Sequence, residues 1–79
     1  MNSAIVAITI DIGYEGEVMD LLCADQTVHE CYMVYGVYDI IAKVHAEGED
    51  GLHLAIRSIR EMRGVRSTLT LVVCREHKK

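Results

Sequence analysis

The stretch from Ala4 to Ile10 constrains the fold more than any other part of the chain, because it is almost continuously apolar and rich in β-branched residues. Such a run is typical of a strand that is buried on both faces of a sheet. A chain of 79 residues accommodates one domain at most. We therefore expect this strand to lie inside a single sheet of a single domain.

Three further apolar runs predict strands, at Val28–Tyr35, Tyr38–Ala46 and Val65–Val73. Only Gly36 and Val37 separate the first two of these runs. This spacing predicts a tight hairpin, in which Gly36 supplies the positive φ that two-residue turns require.

Two helices are predicted between the strands. A short helix runs from about Gly16 to Ala24, where acidic residues stand at the N-terminal end that favours negative charge. The second helix shows the clearest helical periodicity, and its apolar face consists of Leu52, Ala55, Ile56, Ile59 and Met62. Asp50 is its expected N-cap. Gly64 is expected to close it in a left-handed conformation.

The resulting order, β-α-β-β-α-β, is that of the α+β ferredoxin-like sandwich. Right-handed crossovers then predict one antiparallel sheet of strand order 4-1-3-2, with both helices on one face. In this topology the 36–37 turn lies at the same end of the sheet as the start of the last strand. Thr68 and Thr70 are therefore expected two strand spacings, about 10 Å, from the strand that begins near Asp39.

The sheet face without helices also carries apolar residues in this arrangement. Ile5 and Ala7 alternate with Val6 and Ile8 in the first strand, and Ile41 lies opposite its neighbours in the third. A monomer would leave this second set in water, which is unusual for a folded domain. We therefore expect a homodimer in which two such faces pack together.

The charge distribution argues against direct nucleic-acid binding, because the net charge is −4. Residues 1–50 hold ten acids and one lysine, whereas residues 51–79 hold two acids and seven basic residues. Arg57, Arg60 and Arg63 form a stripe on the second helix that suits phosphates or the acidic half of a neighbouring subunit. The same stripe also fits a solvated face near a helix C-terminus, where Arg57 and Glu61 would pair at i,i+4.

The remaining polar residues give no strong signal for a metal, a cofactor or catalysis. Cys23, Cys31 and Cys74 form no CxxC pair, so reduced thiols in a cytoplasmic protein are expected. His29 and Cys31 are expected to share a strand face, but two ligands do not make a zinc site. The apolar segment at residues 4–12 is too short to span a bilayer.

Two motifs resemble a known family. The aliphatic first strand, the sequence Gly36-Val37-Tyr38-Asp39, and Gly64-Val65 followed by Thr68 and Thr70 resemble the ligand-binding domain of the Lrp/AsnC transcription regulators. This domain is also called RAM, for regulation of amino-acid metabolism. The resemblance extends from about Ala4 to Arg75 and implies a single RAM domain over residues 1–79, without the helix-turn-helix domain that full-length members carry.

The resemblance also implies an assembly and a ligand. Dimers of the family form through the sheets and assemble further, commonly into octamers. Amino-acid effectors bind between dimers, near the turn and the last strand. The implied function is amino-acid sensing in transcription regulation or amino-acid metabolism, without direct DNA binding, through partners such as full-length Lrp-like regulators. Tyr35 departs from the small hydroxyl residue that the family often has before the glycine, and its larger side chain is expected to narrow the pocket or change its preference.

The candidate ligand-binding residues are Gly36, Tyr38, Asp39, Thr68 and Thr70. Backbone amides near Gly36 suit a carboxylate, Asp39 suits an ammonium group, and the two hydroxyls donate or accept. Each residue also has a structural explanation, as a turn glycine, a packed tyrosine, an Asx residue or an ordinary strand threonine. A plain oligomerisation module and a small ferredoxin-like enzyme are therefore the alternative functions.

Overall fold

Strands and helices follow one another in the predicted order in the computed structural model, which describes residues 2–79. The elements are β1 (Asn2–Ile10), α1 (Glu15–Ala24), β2 (Val28–Met33), β3 (Ile40–Ala46), α2 (Gly48–Arg60) and β4 (Val65–Val72). Within residues 2–79, α1 and α2 both fall short of the length and apolarity that a bilayer-crossing helix requires.

The four strands form one antiparallel sheet in the order β2-β3-β1-β4, which confirms the predicted ferredoxin-like topology. Ile8 of β1 pairs with Ile40 at the start of β3 and with Thr68 near the start of β4. The β2–β3 loop and the start of β4 therefore lie at the same end of the sheet, as the topology predicted.

Both helices pack on one face of this sheet and bury its aliphatic side chains. The central strand contributes alternate residues to this core, because side chains along a strand point to opposite faces. The core consists of Ala4, Val6, Ile8, Ile10, Val18, Leu22, Ile40, Ala42, Val44, Leu52, Ala55, Ile56 and Ile59. Its aliphatic volume is supplied by three elements, β1, β3 and α2, with two residues from α1.

The opposite face of the sheet, which we call the open face, carries the other alternate set. Ile5 and Ile41 lie on this face, as predicted, and Leu69 and Leu71 join them because they pair with Ala7 and Ile5. Leu69 and Leu71 are 46% and 56% exposed. The open face is thus an apolar surface that neither α1 nor α2 covers.

The connection between β2 and β3 is longer than predicted. The sequence predicted a two-residue turn at Gly36 and Val37, whereas residues 34–39 form a six-residue loop between Met33 and Ile40. Gly36 does have the positive φ expected of it, at 159°, but it lies in this longer loop and not in a two-residue turn. Asp39 holds the loop on two sides: its C=O accepts from the Val34 N–H across the hairpin, and its N–H donates to Ile8 O of β1, both at 2.9 Å.

The predicted ends of α2 also require correction. The helix begins after Glu47, so that Asp50 lies in the first turn, where its charge favours the helix dipole, and not at the N-cap. It ends at Arg60, and Gly64 follows in a separate turn. Gly64 does have the left-handed φ expected of it, at 93°.

A β-bulge between Val28 and Glu30 shifts the register of β2. His29 consequently stacks on His45 of β3, with ring centroids 4.1 Å apart. Cys31 instead pairs with Ala42, whose side chain is buried on the helix side. The expectation that His29 and Cys31 share a strand face is therefore wrong, because the extra residue of the bulge breaks the alternation.

Candidate ligand-binding groove

A groove of about 620 Å³ runs between α2 and the edge strand β4 on the helix side of the sheet. Its lining residues are Asp50, His53, Leu54, Ile56, Arg57, Arg60, Thr70 and Val72. Its volume lies in the range that small-molecule sites in proteins occupy. The groove exists because β4 is the last strand of the sheet and α2 covers only part of its helix-side face.

The groove combines an apolar wall with charges of both signs. Leu54 and Val72 are largely exposed along it. Arg57 and Arg60 supply two guanidinium groups, and Asp50 supplies a carboxylate. Within residues 2–79, Lys43 pairs with Glu76, whereas Arg57 and Glu61 do not form the i,i+4 ion pair considered for them. The arrangement suits a small ligand that carries both an anionic and a cationic group.

The two candidate threonines share the helix-side face of β4. Thr70 pairs with the buried Val6, and Thr68 pairs with the buried Ile8. Thr70 lines the groove, whereas Thr68 lies beyond it, nearer the end of the sheet that carries the β2–β3 loop. Neither hydroxyl has a hydrogen-bond partner within the described part of the chain. Thr70 therefore offers an unused hydroxyl to a ligand in the groove.

The carboxylate of Asp39 has a structural partner. Its Oδ2 accepts a hydrogen bond from the backbone N–H of Ile10 at 2.7 Å. The regular pairing of β1 with β3 ends at Ile8 and Ile40. If it continued, Ile10 would lie opposite Tyr38. The Asp39 carboxylate therefore accepts a hydrogen bond from Ile10 where a backbone carbonyl of β3 would otherwise do so. The alternative explanation, that Asp39 bonds a backbone amide, thus describes part of its role, although the amide belongs to β1 and not to the turn.

The loop residues lie outside the groove of their own protomer. Tyr35 and Val37 extend almost fully into solvent, while Tyr38 is half-buried. Gly36 stands at the tip between them. One protomer therefore brings Asp39 and Thr68 to the same end of the sheet, on either side of β1, but it does not combine the loop with Thr70 in one cavity.

Several groove residues were missed at the level of sequence. The sequence pattern predicts Asp50 as a helix cap and contains no signal that marks His53 or Leu54 as a ligand contact. The stripe of Arg57 and Arg60 was the available signal, because residues three apart share a helix face. The stripe alone does not predict that β4, an edge strand that α2 covers only in part, lies beside these arginines.

The other polar clusters within the described part of the chain do not form a metal site. Residues 2–79 contain no group of three or more His, Cys, Asp or Glu side chains that could hold a metal ion.

Near the end of the sheet that carries the β2–β3 loop, Arg63 lies over the Tyr14 ring, 5.3 Å from its centroid, and donates to the Tyr14 hydroxyl at 3.2 Å. This third arginine of the stripe is therefore used in packing α1 against the turn before β4.

Comparison with known proteins assigns this geometry to a family. The sequence model of the Lrp/AsnC ligand binding domain matches residues 3–79. Among curated proteins, homocitrate synthase from Saccharolobus solfataricus is 36% identical over 74 residues, which cover 92% of this chain and 16% of that enzyme. Homocitrate synthase from Sulfolobus acidocaldarius is 41% identical over 49 residues, which cover 62% of this chain and 10% of that enzyme.

Solved structures agree with that match. The crystal structure of FFRP-DM1 has a TM-score of 0.89 at 36% identity and covers 92% of this chain and 99% of that one. A hypothetical protein from Pyrococcus horikoshii has a TM-score of 0.88 at 37% identity, with 98% and 94% covered. AsnC of E. coli has a TM-score of 0.87 at 25% identity, with 99% and 54% covered. The chain therefore belongs to the Lrp/AsnC ligand-binding domain family.

Proposed function

We propose that this chain is a ligand-sensing regulatory domain whose groove between α2 and β4 binds an amino acid. The observation that carries this proposal is the groove itself, in which Arg57, Asp50 and the unused Thr70 hydroxyl surround an apolar wall. Membership of a ligand-binding domain family supports a binding role for it.

The charges of the groove match those of a free amino acid. The carboxylate of the ligand binds Arg57 or Arg60, because guanidinium groups form strong charge-assisted bonds with carboxylates. Its ammonium group pairs with Asp50, and Thr70 provides a further polar contact. The side chain of the ligand then contacts Leu54 and Val72.

The binding site is completed by assembly. The open face carries Ile5, Ile41 and Leu71, and a second copy that packs against it removes this apolar surface from water. The exposed Tyr35 and Val37 at the loop tip are then available for contacts between dimers. Gly36, Tyr38 and Asp39 of one dimer lie near the Thr68–Thr70 strand of the next in an octamer of this kind, so ligand binding shifts the population of the assembly.

The domain acts through other proteins in this proposal. A net charge of −4 disfavours direct DNA contact, and an Lrp-like regulator that carries its own DNA-binding domain is a suitable partner. A second candidate is regulation of an enzyme, because a segment of homocitrate synthase is 36% identical to this chain. We propose no catalytic activity for the domain itself. The alternative is a plain oligomerisation module, which binding of an amino acid would exclude and absence of binding would support.

Isothermal titration calorimetry with each of the twenty amino acids tests the proposal. We expect saturable binding of at least one of them, weakened at least tenfold by Arg57→Gln and by Thr70→Val. Arg66→Gln is the matched control, because Arg66 carries the same charge outside the groove, and it should bind as the wild type does. Absence of binding for all twenty, or equal binding by the Arg57→Gln and Arg66→Gln variants, would contradict the proposed site.

A further inference from the structure

Two of the three cysteines face each other across the interface between α1 and β2. Cys23 lies in the last turn of α1, and Cys31 lies within β2. Their Sγ atoms are 3.9 Å apart. Cys74, by contrast, lies after β4 near the C-terminus and is exposed. The pair is remote from the α2–β4 groove, since α1 and β2 are at the other side of the sheet.

We propose that Cys23 and Cys31 form a reversible intramolecular disulfide when the protein meets a low-molecular-weight disulfide such as oxidised glutathione. A disulfide bond requires an S–S distance of about 2.05 Å. The sulfurs must therefore approach by less than 2 Å, taken from the 3.9 Å separation. Cys23 is exposed in the last turn of α1, so we expect movement of its side chain to supply this approach.

The exchange proceeds in two balanced steps. The Cys23 thiolate attacks one sulfur of oxidised glutathione, which forms a mixed disulfide and releases one glutathione thiolate. The Cys31 thiolate then attacks the Cys23 sulfur and releases the second glutathione. The two protons that the cysteines lose are taken up by the two glutathione thiolates. Glutathione disulfide gains the two electrons that the cysteine pair gives up, so the reaction balances.

The surroundings of the two thiols assign their order of reaction. Cys23 is exposed and meets the oxidant first, whereas Cys31 is only partly accessible. Burial raises the pKa of the Cys31 thiol, and its hydrogen bond with Cys23 raises it further. Cys31 is therefore the poorer first nucleophile and serves as the resolving thiol, whose attack is favoured by its fixed position beside Cys23.

The disulfide would join the C-terminal end of α1 to an edge strand. Cys31 pairs with Ala42, which is buried on the helix side, so the bond forms away from the open face and is compatible with dimerisation there. Closing this short loop removes conformations from the unfolded chain. The oxidised protein is therefore expected to melt about 5 °C or more above the reduced protein.

The test uses the full chain with Cys74→Ser, so that only the pair can react. The protein is incubated with oxidised glutathione, and its thiols are counted by a colorimetric reagent. Intact mass is measured, and the product is digested with a protease that cleaves after glutamate. Cleavage after Glu30 separates Cys23 from Cys31 unless a disulfide joins the two peptides. A matched variant, Cys31→Ser with Cys74→Ser, removes the resolving thiol only.

We expect the Cys74→Ser protein to lose both thiols, to lose the mass of two hydrogen atoms, and to give joined peptides that excess reduced glutathione separates again. The matched variant should instead retain one glutathionyl group on Cys23. The proposal is overturned if the Cys74→Ser protein keeps both thiols, retains glutathione as a stable adduct, or forms only disulfide-linked dimers. These outcomes are read from the Cys74→Ser protein alone, so they do not depend on the folding of the matched variant.

Discussion

The Oδ2 atom of Asp39 lies 2.7 Å from the backbone nitrogen of Ile10 and accepts its hydrogen bond. This contact ties the β2–β3 loop to the central strand at the point where the regular β1–β3 pairing has ended. The carboxylate that the sequence assigned to a ligand ammonium group is therefore part of the fold. Removing it disturbs the loop whether or not a ligand binds nearby.

Replacement of Asp39 measures how much its carboxylate contributes to the stability of the fold. Asp39→Ala leaves the Ile10 N–H without its acceptor, and we expect it to lower the free energy of unfolding by about 1.5–3 kcal/mol, as is usual for hydrogen bonds to charged groups. Asp39→Asn keeps an oxygen acceptor and should lose less than half of that amount. Urea denaturation of the three proteins measures the difference. Equal stability of the alanine variant and the wild type would contradict a structural role.

The structure requires a glycine at position 64, because of its backbone conformation and because Tyr14 lies close to it. Its φ is 93°, and a Cβ atom placed on it would lie 2.4 Å from Cβ of Tyr14. We expect Gly64→Ala to lower the free energy of unfolding by about 2 kcal/mol or more, since strain and overlap add. Gly16→Ala is the control, because Gly16 lies within α1 with open space around it. That change should be neutral or stabilising by up to about 1 kcal/mol in thermal or urea unfolding.

Stability should decrease as the solution becomes acidic because of His45. Burial lowers the pKa of His45 from its ordinary value of about 6.5, and repulsion from the stacked His29 and from Lys43 lowers it further, while Glu76 opposes the shift. The unfolded chain therefore binds a proton at this position more readily than the folded protein does. The free energy of unfolding falls as the pH decreases below about 6.5 and through the lower pKa of the folded state.

Urea midpoints between pH 7.5 and 5 check this pH dependence, over a range spanning the ordinary histidine pKa of about 6.5. Lys78 also faces His45 and adds to its repulsion. The wild type should lose stability over this range, and His45→Gln should lose clearly less. His77→Gln, on the exposed C-terminal tail, is the control and should retain the wild-type slope. A His45→Gln variant with an unchanged slope would assign the effect to other groups.

The order of elements and the sheet topology could be predicted because they depend on short-range patterns and on handedness. The β-branched run at Ala4–Ile10 and the helical face from Leu52 to Ile59 both appear in the structure as predicted. Because crossover connections are right-handed, one order of the four strands was then expected. The alternation of Ile5 with Val6 likewise assigned residues correctly to the two faces of β1.

The loop and the groove could not be predicted from the same patterns, because they depend on contacts between elements. The β2–β3 loop is closed by the bond from the Val34 N–H to Asp39 O, and it is tied to β1 by the bond from the Asp39 N–H to Ile8 O, which joins residues 31 positions apart. The face of Thr70 follows from its register with Val6, and the groove follows from how far α2 stands from the sheet edge. The bulge that separates His29 from Cys31 has no marker in the sequence that we can identify.

A charge on the open face should prevent association. Leu71 pairs with Ile5 in the sheet, and Leu71→Glu would place a carboxylate in the proposed interface without a partner. We expect this variant to remain folded by circular dichroism and to sediment as a protomer. Leu21→Glu is the matched control, because Leu21 is a similarly exposed leucine on α1, away from the sheet. It should assemble as the wild type does, and loss of assembly in both variants would argue against the open face as the interface.

The mass of the wild-type protein at micromolar concentration tests the central claim most directly, because the sensing site proposed above is completed by contacts between dimers that form through the open face. Multi-angle light scattering of the purified protein gives this mass without reference to shape. The account predicts at least twice the 8.9 kDa of one chain. A single 8.9 kDa species at that concentration would contradict it.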